Sequence, residues 1–158
     1  MHGDGGPVAQ VTYDETTGKE TTTYLAHDGL GSIGVMFDKS GTALERPFHE
    51  PFGQRTDLDG GPLKNFTSPA GLAMGFTGQR HDDDLDLIDY RGRAYDPVQK
   101  RFLTADPFVW NAADSQSYNR WAYVRGNPLR YTDPTGFQEQ PAGGTYPVSY
   151  THLRAHET

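Results

Sequence analysis

Residues 89–107 read DYRGRAYDPVQKRFLTADP. Two short runs in this stretch, residues 93–95 and 101–103, carry aromatic and aliphatic side chains over a length typical of strands rather than helices. An Asp-Pro pair follows each run, Asp96-Pro97 after the first and Asp106-Pro107 after the second. Aspartate followed by proline favours a type I turn, because the carboxylate accepts from backbone amides ahead of it and proline presets φ. The stretch therefore predicts short strands joined by tight turns.

The same alternation of short β-prone runs with tight turns extends in both directions along the chain. Short β-prone runs, including 33–37 and 75–79, alternate with polar turns such as Asp38-Lys39-Ser40-Gly41, and two more Pro-containing turns follow at Asn127-Pro128 and Asp133-Pro134. Residues 54–72 are rich in Gly, Pro, Asp and Asn and predict a longer loop. A short helix is expected only within 115–125, with Ser115 or Ser117 as its N-cap. We therefore predict an all-β fold of tandem hairpins.

Composition supports this prediction and excludes several classes of protein. Only 34% of the 158 residues are hydrophobic, whereas 19 are Gly and 11 are Pro, so turns are frequent and apolar material is sparse. Aromatic residues make up 12%, which argues against disorder because rings need packing partners. A net charge of −7 disfavours nucleic-acid binding, and the absence of Cys excludes disulfides and thiolate metal sites. No apolar segment reaches membrane-spanning length, and no cofactor is predicted.

Residues 147–158 read PVSYTHLRAHET and lack the recurring pattern of Gly, Pro and aromatic residues found in the rest of the chain. The string resembles a translated sequencing adapter, so we exclude it from fold reasoning and expect the native chain to continue differently. His152 and His156 lie there at i and i+4, and for the same reason we reject a metal site at them. The run 81–86, HDDDLD, lacks the central Gly and final Glu of a calcium loop and is predicted to be a hairpin tip.

Two blocks of motifs together point to one family. The first, within 24–53, contains Tyr24, His27-Asp28, Leu30-Gly31-Ser32 and Glu50-Pro51-Phe52-Gly53, and it resembles the terminal hairpins of YD-repeat proteins, which usually close with Asp rather than Glu. The second, within 73–137, combines the opening stretch with NRWAYV at 119–124 and DPTGF at 133–137, and it resembles the Rhs repeat-associated core domain. Residues 1–23 would then end a preceding repeat or belong to a variable segment, and 138–146 would be a linker or the start of a truncated C-terminal variable region.

The resemblance to Rhs proteins and to the C components of Tc toxins implies both a fold and a role. YD repeats form a long sheet that spirals into a hollow shell, the core domain closes one end as a plug, and a variable C-terminal toxin is held inside. The implied partners are this chain's own C-terminal toxin region, the rest of the shell, and components of a secretion apparatus or toxin complex. The implied location is secreted or on the surface of a bacterium.

The resemblance also implies a site. In self-cleaving members the core ends in Pro-x4-Asp-Pro-x-Gly-Leu, and an intramolecular aspartyl protease cuts after Leu. This chain has Pro128, four residues, Asp133-Pro134-Thr135-Gly136, and Phe137 in place of Leu, so Pro134, Gly136 and Phe137 mark the expected cleavage site. Two carboxylates that share a proton are required. We predict Asp106 and Asp114 for this pair, with Asp133 as the alternative.

Structural interpretations of the same residues stay open. Asp106 is also suited to the turn before Pro107, and Asp114 to capping the segment that begins at Ser115. Arg91, Arg93 and Arg101 are expected to pair with acids or stack on Tyr, and one of them could touch the catalytic pair. Trp110 and Trp121 are expected in the core. The alternative function is a structural or adhesive YD-repeat surface protein that cuts no bond; an independent hydrolase finds no support in the sequence.

Overall fold

The computed structural model describes residues 8–63, 68, 71–109 and 111–143. This part of the chain contains short strands and 3₁₀ turns. In chain order the strands are β1 (Ala9–Asp14), β2 (Lys19–His27), β3 (Ile33–Phe37), β4 (Ala43–Glu45), β5 (Phe48–His49), β6 (Arg55–Thr56), β7 (Arg80–Asp82), β8 (Leu87–Asp89), β9 (Ala94–Asp96), β10 (Arg101–Phe102), β11 (Tyr131–Thr132) and β12 (Gln140–Pro141). The predicted all-β fold is confirmed.

Strands β1 to β4 form an antiparallel meander in chain order. Leu25, Ile33 and Met36 form a buried cluster with Leu72, while the opposite face leaves Val11 and Tyr24 exposed. Ile33 and Met36 are three residues apart, and they share a face because the pairing of β2 with β3 is irregular between them. A bulge between Ala26 and His27 shifts the register of β2 on β3. One face of this sheet is therefore packed and the other is open.

Strands β7 to β10 form a second antiparallel sheet, which carries the larger core. Tyr90, Tyr95, Phe102 and Tyr123 are almost fully buried, and their rings pack edge-on or tilted, with 4.8 Å between the centroids of Tyr95 and Tyr123. Such ring pairs stabilise a core beyond the area that they bury. The Tyr95 hydroxyl donates to the Phe52 carbonyl at 2.9 Å and so ties this core to the turn after β5.

One turn recurs along the first half of the chain. At Asp28, the Gly31 amide donates to the Asp28 carbonyl at 3.1 Å, the Asp28 amide donates to the Ser32 carbonyl at 2.9 Å, and the carboxylate accepts from Leu30 and Ser32. The same arrangement is found at Asp38 and Asp57. The glycine three residues on has φ of +82° at Gly31, which is a type I turn followed by a glycine bulge. Each of these aspartates stabilises a reversal of the chain, because its carboxylate accepts from the amides two and four residues ahead.

Several local expectations differ from the structure. Residues 75–79, expected as a strand, form a 3₁₀ turn at Phe76–Gly78, in which Thr77 has φ of +48°. The segment 115–125 holds two 3₁₀ turns, Ser115–Tyr118 and Val124–Gly126, rather than one helix. The loop expected at 54–72 includes β6, and the segment expected as a linker includes β12.

Trp121 does not belong to the core, contrary to the prediction: its side chain is 43% exposed. Its carbonyl accepts from Phe102 at 2.8 Å, so its backbone continues the pairing at β10 while Phe102 and Tyr123 occupy the interior instead. Trp110 lies outside the described residues. No helix in the described part of the chain is long and apolar enough to cross a membrane.

Candidate active site

Arg93 is the centre of the candidate site. It follows the loop after β8, and its side chain is almost fully buried. Its Nε donates to the Gly136 carbonyl, its Nη1 donates to the Arg120 carbonyl at 3.0 Å, and its guanidinium lies 3.7 Å from the centroid of the Phe102 ring. Burial lowers the pKa of Arg93, and the neighbouring carboxylates oppose this. A buried arginine held on three sides fixes the position of whatever pairs with its remaining nitrogen.

Two aspartates meet at that nitrogen. Arg93 Nη2 lies 3.2 Å from Oδ2 of Asp106 and 3.9 Å from Oδ2 of Asp133, and both aspartates are buried. Asp106 also accepts from the Phe108 amide at 2.8 Å, as expected for the turn at Pro107. The same side chain therefore stabilises the turn and pairs with Arg93. The Arg120 guanidinium donates to the Asp106 carbonyl and holds this turn in place. The structure therefore brings together Asp106 and the alternative, Asp133.

Asp133 also contacts the predicted cleavage site directly. Its Oδ1 accepts from the backbone amides of Gly136 at 2.8 Å and Gln138 at 3.1 Å. The nitrogen of Gln138 belongs to the peptide bond that follows Phe137, which is the bond expected to be cut. Burial raises the pKa of Asp133, although the amide hydrogen bonds and Arg93 act in the opposite direction. Asp133 is thus the buried carboxyl group in direct contact with the nitrogen of the predicted scissile bond.

Asp114, predicted as the partner of Asp106, lies elsewhere in the site region. Its carboxylate accepts from the Gln116 amide at 3.0 Å as an N-cap, and it pairs with Arg125 at 3.0 Å. The Gln116 amide and Arg125 lower its pKa. The capping interpretation describes its contacts, and the structure does not place it on Arg93.

Two glycines shape the backbone around the predicted cleavage site. A Cβ on Gly92 would lie 2.0 Å from Cε2 of Phe137, so the Phe137 ring occupies the space beside this glycine. Gly136 has φ of +79°, and a Cβ there would lie 2.9 Å from the Tyr90 carbonyl. The Gly92 amide donates to the Thr135 carbonyl at 3.2 Å. Residues 135–137 are thus held against the turn between β8 and β9.

An open cavity of about 240 Å³ adjoins these groups. Its walls include both aspartates, Arg93, Arg125, Glu139, and the two residues that flank the predicted scissile bond, Phe137 and Gln138. Among the described residues, no group of His, Asp and Glu is arranged to hold a metal ion.

Comparison with known families matches residues 12–128 to the Teneurin YD-shell model. The chain belongs to the Teneurin YD-shell family. This agrees with the resemblance to Rhs and YD-repeat proteins inferred from the motifs at 24–53 and 73–137. The match ends before Asp133, so the segment that carries the predicted cleavage site lies beyond it.

Curated relatives of this YD-shell chain are much longer proteins. The tRNA3(Ser)-specific nuclease WapA of Bacillus spizizenii is 27% identical over 135 residues, which are 85% of this chain and 5% of the relative. The tRNA nuclease WapA of Bacillus subtilis is 26% identical over 113 residues, 72% of this chain and 4% of the relative. Salivary gland surface protein 1 of Aedes aegypti is 28% identical over 112 residues, 71% of this chain and 3% of the relative. The YD-shell chain spans about a twentieth of each relative's length or less.

Solved structures share the fold of this YD-shell chain. The crystal structure of TcdB2-TccC3 without the hypervariable C-terminal region has a TM-score of 0.67 at 22% identity, over 86% of this chain and 6% of that chain. The crystal structure of TcdB2-TccC3 has a TM-score of 0.65 at 22% identity, over 82% and 6%. The fold is therefore that of a segment of a Tc-toxin type YD shell.

Proposed function

We propose that this chain is a segment of a YD shell that encloses and delivers a C-terminal toxin, and that it cuts its own backbone between Phe137 and Gln138. The observation that carries the cleavage proposal is the 3.1 Å contact between the Gln138 amide and Asp133, while Asp133 and Asp106 share Arg93. Hydrolysis by paired carboxylates requires a base for water and an acid for the leaving nitrogen. Asp133 contacts the nitrogen of one peptide bond, and Asp106 lies on the same arginine and lines the same cavity.

The contacts support the following roles. Asp106 takes a proton from water, whose oxygen attacks the Phe137 carbonyl carbon. Asp133 holds the leaving nitrogen by accepting its N–H at Oδ1. In the proposed step Asp133 enters protonated on Oδ2 and gives that proton to the Gln138 nitrogen as the C–N bond breaks. The products are a Phe137 carboxyl group and a Gln138 amine, and the net reaction consumes one water. Arg93 touches both aspartates and holds the Gly136 carbonyl, so it orients the pair and the backbone before the bond.

Delivery of a toxin is supported by the relatives. Two of them are named as tRNA nucleases, and solved structures with this fold are titled as TcdB2-TccC3. For this chain we propose the same organisation: the rest of a YD shell and a C-terminal toxin region as partners, with secretion or toxin-complex components as further ones. The proposed location is secreted or at the bacterial surface.

A second candidate is a structural or adhesive YD-repeat surface protein that cuts no bond. The relation to a salivary gland surface protein, and Phe137 where self-cleaving members have Leu, favour it. Intact mass of the product of the complete gene separates the two functions. A break after Phe137 that disappears in Asp106→Asn supports autoproteolysis; an unbroken wild-type chain supports the second candidate.

A further inference from the structure

The segment after the proposed cleavage bond is bound to the core at several successive residues. The contacts are Gln138 N to Asp133 Oδ1 at 3.1 Å, the ion pair of Glu139 with Arg125, the antiparallel pairing of β12 with β11, and Ala142 N to the Arg130 carbonyl at 2.8 Å. We call the core side of these contacts, formed by Arg125, Arg130, β11 and Asp133, the downstream surface. Each residue from 138 to 142 therefore contacts the downstream surface, either through its own hydrogen bond or ion pair or through the pairing of β12 with β11.

Arg125 is held in position by its own neighbours. Its Nη1 pairs with Asp114 at 3.0 Å, and its guanidinium lies 5.6 Å from the centroid of the Tyr131 ring. Arg125 has φ of +53°, in the left-handed region that non-glycine residues rarely occupy. Such backbone strain persists only where the surroundings impose it. The strained turn presents the guanidinium to Glu139.

Cleavage would add two charges here, a carboxylate at Phe137 on the upstream side and an ammonium at Gln138 on the downstream side. Hydrolysis turns the Gln138 amide into an α-amine, whose usual pKa of about 8 makes it positively charged at neutral pH. The new ammonium group would lie against Asp133, with Asp106 close by on Arg93. A charged donor makes a stronger hydrogen bond to a carboxylate than an amide does. The cut therefore strengthens one contact of the downstream surface and breaks none of the others.

We propose that the downstream surface keeps residues 138–142 bound after the bond to Phe137 is broken. The ligand is the new N-terminus of this chain's own C-terminal segment, recognised by its α-ammonium, by the Glu139 carboxylate and by strand pairing. This inference rests on the proposed function for the cut itself. Its consequence is that cleavage alone does not free the downstream polypeptide; release also requires the segment to leave β11 and Arg125.

Hydrogen exchange in the full-length protein tests the proposal at the segment itself. The probe is the amide of Ala142, compared between the cut wild type and the uncut Asp106→Asn protein. We expect protection in the cut protein within about threefold of that in the uncut one. Glu139→Gln should lower protection on the order of two- to fivefold, as for a partly exposed ion pair, and high salt should do the same. Arg80→Gln, a charge removal on β7, is the matched control.

Two outcomes overturn the proposal: exchange at 138–142 that becomes unprotected once the chain is cut, or protection unchanged by Glu139→Gln. A failure of the cut is a separate result, visible by mass as an unbroken wild-type chain. In that case the complete gene is split between codons 137 and 138 and the two products are co-expressed. Protection of Ala142 in the reassembled pair supports the surface without autoproteolysis, and its absence there overturns the inference.

Discussion

The ring of Phe137 stands where a side chain at Gly92 would have to be, because a Cβ on Gly92 would come within 2.0 Å of Cε2 of Phe137. Gly92→Ala should therefore displace the ring and, with it, the peptide bond that follows. We expect the rate of cleavage after Phe137 to fall on the order of 100-fold, since small displacements of a reacting group carry penalties of this size. Cleavage is followed by intact mass over time.

The matched control is Gly29→Ala, where an added Cβ meets nothing within 4 Å. A smaller side chain at the cleavage site should also relieve the clash, so Gly92→Ala combined with Phe137→Ala should be cut no more slowly than Phe137→Ala alone. If Gly92→Ala is cut at the wild-type rate, the ring does not need this space and the proposed arrangement at the bond is incorrect.

The contacts of Asp133 and Asp114 predict opposite results for two conservative variants. Asp133→Asn keeps an oxygen to accept from Gly136 and Gln138 but removes the acid, so we expect at least about a 100-fold loss of cleavage. Asp114→Asn keeps the cap to Gln116 and should leave the rate within about threefold. Far-ultraviolet circular dichroism of both variants controls for folding. Loss of cleavage in Asp114→Asn alone would restore the pairing of Asp106 with Asp114.

The sequence predicted much of this fold because its turns are encoded locally. Asp28 and Asp38 each accept from amides two and four residues ahead, and the glycine three residues on takes a positive φ, so residues within one pentapeptide determine each turn. The all-β class and the hairpin at Asp38 followed from these signals. The 3₁₀ turn at Phe76–Gly78 did not follow from local signals, because it depends on contacts farther along the chain: the Thr77 amide donates to Ser32 Oγ, 45 residues away, and the Thr77 hydroxyl meets that of Tyr90.

The sequence names the members of the candidate site but does not show which two aspartates lie together. The motif at 133–137 and Asp106 could be read from the sequence, but the choice between Asp114 and Asp133 depends on Arg93, which lies 13 residues before Asp106 and 40 before Asp133. Arg93 was one of three arginines with equal standing. Its carbonyl partners, Gly136 and Arg120, belong to other elements, so no local pattern distinguishes it.

The recurring turn gives a prediction about local stability. Gly41 has φ of +83° and open space around it, so Gly41→Ala tests backbone conformation without a steric clash. We expect the hairpin of β3 and β4 to lose about 1 kcal/mol, the usual cost of a left-handed conformation for alanine. Hydrogen exchange of the Asp38 amide, which donates to Thr42, measures the loss locally. Gly34→Ala, a glycine without a positive φ, should change this amide less; an equal effect from both would contradict the explanation.

Two histidines between the sheets predict a dependence on pH. His49 and His81 face each other with 5.5 Å between ring centroids, near Arg55, which pairs with Asp83 at 2.7 Å and is also close to Glu45. Burial, with Arg55 as a further cause, lowers the pKa of His49 from 6.5 to about 4, and burial lowers the pKa of His81 in the same direction. Above pH 6.5 neither the native nor the opened state binds these protons, so the two histidines do not lower the free energy of unfolding. Between pH 6.5 and about 4 only the opened state binds these protons, so the native state becomes less stable as the pH is lowered.

The Phe76 amide reports this loss, because it donates to Nε2 of His81 at 3.0 Å. In the full-length protein we expect its exchange protection, corrected for the intrinsic rate, to fall about tenfold or more between pH 7 and pH 5. The full shift of His49 corresponds to on the order of 3 kcal/mol. His49→Gln should flatten the dependence, whereas His27→Gln should leave it unchanged. Protection of Phe76 that stays constant down to pH 5 would show that the two imidazoles accept protons in the native state, and that their burial between the sheets does not control stability.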